Sequence, residues 1–205
     1  MSREIEKCLR LIVLIFAVMM LGIFSTAGRS WADEIVDSIK EALEYYDGGD
    51  YAEAVSSLDY AAQLIRQKRG NKLEAFLPEP LSGWKAKDVE SRAVGQAMFG
   101  GMVSAKRHYS KGSSTVTVEI TSDSPILQSM VMMFSNPSYA TADGGKLKKI
   151  RRQKAIIKYR ASKQEGEIII IVDKRYLVSV NGTKVSEEDL INYASAIDYK
   201  KLKKF

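Results

Sequence analysis

Cysteine is almost missing from this 205-residue chain. The single one, Cys8, precedes the longest apolar run instead of following it. One thiol excludes an internal disulfide and a cysteine-built metal centre, and its position excludes lipid attachment after a leader. Histidine is as scarce. His108 stands alone beside Lys106, Arg107 and Tyr109, without carboxylates at ligand spacing or a matched Asp and Ser, so neither a metal site nor a triad is expected. Four prolines and 14 glycines exclude collagen-like and low-complexity classes. With 45% hydrophobic and 27% charged residues the chain is ordinary globular material, not a disordered one.

What is present begins with a leader pattern. Arg3, Lys7 and Arg10 give a basic start, Leu11 to Phe24 is apolar, and Ser30-Trp31-Ala32 offers small residues at the two positions a signal peptidase reads. We expect a signal peptide over residues 1–32, with a cysteine-free mature chain from Asp33 that is exported to the periplasm or secreted. An uncleaved anchor is the alternative, although the run falls short of the roughly 20 residues that span a bilayer.

Residues 33–73 read as a helical hairpin. Ile35, Ile39, Ala42, Leu43 and Tyr46 recur at helical spacing, Asp47-Gly48-Gly49-Asp50 interrupts, and Tyr51, Ala54, Val55, Leu58, Ala61, Ala62 and Ile65 resume the pattern. Ala42, Tyr45, Gly49-Asp50-Tyr51, Ala54, Leu58 and Ala61 stand at the spacings of a tetratricopeptide-type repeat, which the segment resembles. Ser38 and Glu41 occupy positions that family fills with large apolar residues, no proline closes the unit, and no second copy follows. One unit implies no superhelical peptide groove. Arg66 to Lys72 reads as a polar linker, extended by the two prolines of Leu77 to Trp84. Trp84 is either a buried anchor or an exposed binding residue.

Residues 74–205 read as a second, α+β domain, and from residue 85 on the period switches to two. Met102–Tyr109, Thr115–Thr121, Ala155–Tyr159, Glu167–Val172 and Tyr176–Val180 read as strands. The isoleucines 168 to 171 suggest a central strand covered on both faces. Asp123 or Ser124 with Pro125 opens a helix that ends at Asn136-Pro137, and Asn181-Gly182 reads as a turn. Ser186-Glu187-Glu188-Asp189 opens a last helix whose C-terminal end carries Lys200, Lys201, Lys203 and Lys204. The expected class is α+β, an antiparallel sheet packed with two helices. Over roughly 77–202 the order is similar to the PsbP/Mog1/DcrB-like domains, through its opening Leu-Pro…Gly-Trp, alternating central strands and closing Ser-Glu-Glu-Asp-Leu helix. That resemblance implies binding or assembly more than catalysis, and no cofactor.

Two candidate surfaces remain. Met130, Met132, Met133 and Phe134, with Met98, Phe99 and Met102, form either ordinary core or an adaptable hydrophobic surface or pocket; exposure of Met132 would favour a partner surface. Charge is strongly segregated: residues 33–65 carry nine acids against Lys40, whereas residues 144–160 carry eight bases and no acid. Lys146, Lys148, Lys149, Arg151, Arg152 and Lys154 would contact an anionic membrane surface, another envelope protein, or the acidic hairpin of the same or a second copy; a solvated face is the plain alternative. Nucleic acid is not expected, since export removes the target and only Tyr159 interleaves the bases. The expectation is a non-enzymatic binding or assembly module of the bacterial envelope. A carrier of a small hydrophobic ligand comes second, and a hydrolase third, since no activated nucleophile can be named.

Overall fold

The computed structural model describes residues 31–93, 101–136 and 144–205. Two compact units meet between Ser57 and Leu58. The chain is α+β: a helical pair, then an eight-stranded antiparallel sheet with further helices.

The first unit holds helix α1 (Trp31–Asp47) and the opening of α2 (Tyr51–Glu74). The break between them follows from Gly49, whose φ of 82° suits glycine alone among common residues. Gly48, Gly49 and Asp50 donate their amides to the carbonyls of Glu44, Tyr46 and Tyr45, which satisfies the frayed end of α1. Asp50 then caps α2: its Oδ1 accepts from the amide of Glu53 at 3.4 Å. Ile35, Ser38, Ala42 and Ala54 are buried. Ser38 tolerates burial because its hydroxyl donates to the Glu34 carbonyl at 2.9 Å.

In the second unit α2 continues unbroken to Glu74, so the expected linker over Arg66–Lys72 is helix. Its polar sequence misleads because the inward positions are Leu73, fully buried, and Gly70, where a Cβ would lie 3.4 Å from Val103. Arg69 pairs with Asp123 at 2.7 Å, and Gln63 donates to the Ala93 carbonyl.

The strands are β1 (Lys85–Ala86), β2 (Glu90–Ala93), β3 (Val103–Lys111), β4 (Ser114–Ser122), β5 (Lys146–Ile150), β6 (Gln153–Arg160), β7 (Glu165–Val172) and β8 (Tyr176–Thr183). They pair in the order β1-β3-β4-β8-β7-β6-β5, with β2 also on β3. Beyond the expected strands lie β1, β2 and β5. Helix α3 (Pro125–Ser135) has Ser124 as N-cap and Pro125 in its first turn; α4 (Glu187–Ala196) opens with the Ser186–Asp189 capping box. The chain then breaks at Ile197 and restarts as α5 (Tyr199–Lys204) under an Asp198 cap. The four lysines therefore belong to a separate short helix, not to the end of α4.

Alternation along β7 sends Ile168, Ile170 and Val172 into the main core with Leu190, Tyr193 and Ala194 of α4. Ile169 turns the other way, into a smaller cluster with Ile156 and Phe134 of α3, against which Ile171 packs. The quartet is thus the two-sided central strand its composition suggests. Trp84 is a buried anchor, edge-on to Tyr193 at 5.3 Å; Tyr109 lies 4.4 Å from the same ring and donates to the Pro78 carbonyl at 2.5 Å. Asn181 and Gly182 are not a turn. They pair within β8, where Gly182 lies opposite Gly166. A Cβ at Gly182 would come within 2.6 Å of Leu190, so this glycine serves close packing.

Candidate functional site

The basic run occupies the β5–β6 hairpin, and among the described residues β5 is the edge of the sheet. Lysines on an edge strand oppose pairing with foreign strands, which is one structural reason for the cluster. The run is not uniform. Lys148 donates to Glu187 at 2.8 Å, and this bond holds the Glu187 carboxyl below its ordinary range. Arg151 donates through Nε to the Ser195 carbonyl at 3.0 Å, so α4 engages two of the six named residues. Lys146, Lys149, Arg152 and Lys154 are exposed. Arg151 and Arg152 form the two-residue turn with φ of 46° and 69°, a conformation usually left to Asn-Gly.

The methionine set divides. Met130 and Met133 pack beside Phe134 against Ile156 and Ile169, while Met132 is 74% exposed. Met98 and Phe99 lie outside the described residues. A cleft of about 510 Å³ beside α3 is lined by Val131, Phe134, Arg152, Lys154, Ile171 and Lys174 among others. It brings Phe134 next to the basic turn, but none of the three methionines lines it.

His108 sits on the wet face of the sheet. Its Nδ1 is 2.8 Å from Thr117 Oγ1, and its Nε2 is 3.7 Å from the Glu90 carboxylate, which Lys106 also contacts at 3.2 Å. Lys106 holds the Glu90 carboxyl below its ordinary range. This is a surface charge row. Among the described residues no group of three or more His, Cys, Asp or Glu is placed to hold a metal ion.

The most unusual surface lies in the first unit. Ile39, Leu43, Tyr46, Tyr51 and Val55, which recur at helical spacing in the sequence, are exposed, as is Val36. At 100° per residue, Val36, Ile39, Leu43 and Tyr46 fall within an arc of about 80° on α1. Tyr46 and Tyr51, 5.7 Å apart across the turn, carry the surface on to Val55. Ile35 and Ala42, buried, adjoin one flank of the stripe; Asp33, Lys40, Glu44 and Asp47, exposed, adjoin the other. Leu43 is 60% exposed. Together the six side chains leave on the order of 500 Å² of largely apolar surface, toward the top of the range for the largest patch on an ordinary monomer.

None of the described helices is long and apolar enough to cross a membrane. Comparison with known proteins finds no matching family model, no matching curated protein and no matching solved structure.

Proposed function

We propose that this chain is a non-enzymatic binding or assembly module that works in the bacterial envelope after export. One observation carries the reading: the apolar stripe of Val36, Ile39, Leu43 and Tyr46 on helix α1, facing solvent. Exposed apolar surface of this extent is costly in solubility and is usually covered in the working state. The exposure of Met132 adds a smaller patch of the same kind on α3. The packing of Met130, Met133 and Phe134 on the sheet weighs against a ligand carried beneath that helix.

The test is an affinity capture from envelope extract with the mature chain and with its Leu43→Asp variant. A protein retained by the first and lost by the second supports the module. Identical retention by both would refute the α1 surface as its working face.

A further inference from the structure

We infer that the occupant of the α1 surface is a cationic amphipathic helix of a partner protein. The inference rests on the binding-module reading and adds the chemistry of the partner. The stripe supplies four apolar anchors, at i, i+3, i+7 and i+10 along one helix face, which is the spacing that receives the apolar side of another helix. Charge then selects among occupants. Over residues 33–57 the unit carries eight acids, from Asp33 to Glu53, and one base, Lys40. Asp33, Glu44 and Asp47 run along the open flank of the stripe, within about a third of a helix turn of it, with Lys40 the single base among them.

A second copy seated helix to helix on this face would set one strongly acidic unit against another, and like charges brought together oppose association. Its basic β5–β6 hairpin has the right charge but, among the described residues, offers Leu147 as its one exposed large apolar side chain, too little to fill four anchor positions. An anionic bilayer meets the same objection. A helix with leucines along one face and lysine or arginine on its flanks satisfies both parts: apolar contact in the centre and opposite charge at the rim.

The experiment uses the mature chain and three synthetic peptides of about 15 residues, the length of α1 from Asp33 onward. One carries leucines at helical i, i+3, i+4, i+7 spacing with lysines elsewhere. The second has the same composition in scrambled order, and the third replaces lysine by glutamate. Fluorescence anisotropy should show saturable binding of the first alone. Leu43→Asp should weaken it by about tenfold or more, as expected for a central anchor. A rise in salt from about 0.05 to about 0.5 M should weaken it several-fold.

Equal binding of the scrambled peptide would reduce the effect to charge and overturn the inference. Binding of the glutamate peptide, or no binding at all, would do the same. So would concentration-dependent dimerisation in sedimentation that Leu43→Asp abolishes, since it would assign the face to a second copy. Circular dichroism of Leu43→Asp, unchanged in helix content, separates lost docking from lost folding. If every peptide fails while the envelope capture still depends on Leu43, the module stands and only the partner's chemistry falls.

Discussion

Replacing Gly182 by alanine should destabilise the sheet unit, by an amount that depends on Leu190. A Cβ at this position would lie 2.6 Å from Leu190 Cδ2 and 2.6 Å from Val185 Cγ2. Leu190 is fully buried, so its methyl has nowhere free to go. Overpacking of this kind costs about 1–3 kcal/mol. Loss of glycine's freedom in the unfolded chain returns about 0.4–1 kcal/mol. The net expectation is a loss of roughly 1–2 kcal/mol, or about 2–8 °C in Tm for a unit of this size. Leu190→Ala alone should cost about 2–5 kcal/mol, and the double variant should cost less than the sum by about 1 kcal/mol, because the new methyl occupies part of the vacated volume. Gly166→Ala supplies the contrast. There a Cβ would meet the Lys158 carbonyl oxygen at 2.6 Å and Tyr159 at 2.8 Å, both nearer than Leu190 at 3.1 Å. Backbone cannot give way as a side chain can, so Leu190→Ala should rescue it less. Urea unfolding of the chain from Asp33, in which Trp84 is the one tryptophan, reads each midpoint at constant slope by fluorescence. Additive losses for Gly182→Ala and Leu190→Ala, or equal rescue at both glycines, would refute the packing account.

Two further outcomes follow from the helix ends and the basic edge. Ser186→Ala removes the hydroxyl that accepts from the Asp189 amide at 3.1 Å and should lower stability by about 1 kcal/mol in the same urea assay. The Lys148–Glu187 bond depresses the Glu187 carboxyl below its ordinary value of 4.5, so its contribution is complete above that pH and is lost as pH falls through the lower folded value. Both groups are partly solvated, so the contribution is below about 1 kcal/mol; Glu187→Gln should flatten that part of the acid limb, as followed by thermal unfolding between about pH 5 and pH 2.

The sheet was legible where local pattern and tertiary demand agree. Val116, Val118 and Ile120 alternate because one face of β4 is wet, and the isoleucines of β7 do not alternate because both faces are covered. Where the two disagree the sequence misled. Asn181-Gly182 carries turn chemistry, but its glycine answers to Leu190 and not to a bend. Arg66 to Lys72 looks like linker because a helix needs only Gly70 and Leu73 on its inner side to dock. Lys146 to Ile150 escaped notice as a strand because an edge strand rich in lysine has little apolar alternation to display. The α1 surface was visible as residues but not as a surface. Periodicity reports that a face is apolar, and only coordinates report whether anything covers it.

The strand order also shapes how the sheet comes together. Strands β3 and β4 form one hairpin, and β5 to β8 form a run of neighbours, so both sets can zip through short loops. The seam between β4 and β8 is different: it aligns Thr115 with Thr183 and Ser122 with Tyr176, and the whole of α3 and the β5–β7 run lie between those strands in sequence. Ring closure across so much chain carries the largest entropic penalty of any pairing in this sheet. Val118 and Val180, partners across that seam, are both fully buried. On entropic grounds, closure of this seam at the middle of the sheet should follow the zipping of the two local sets.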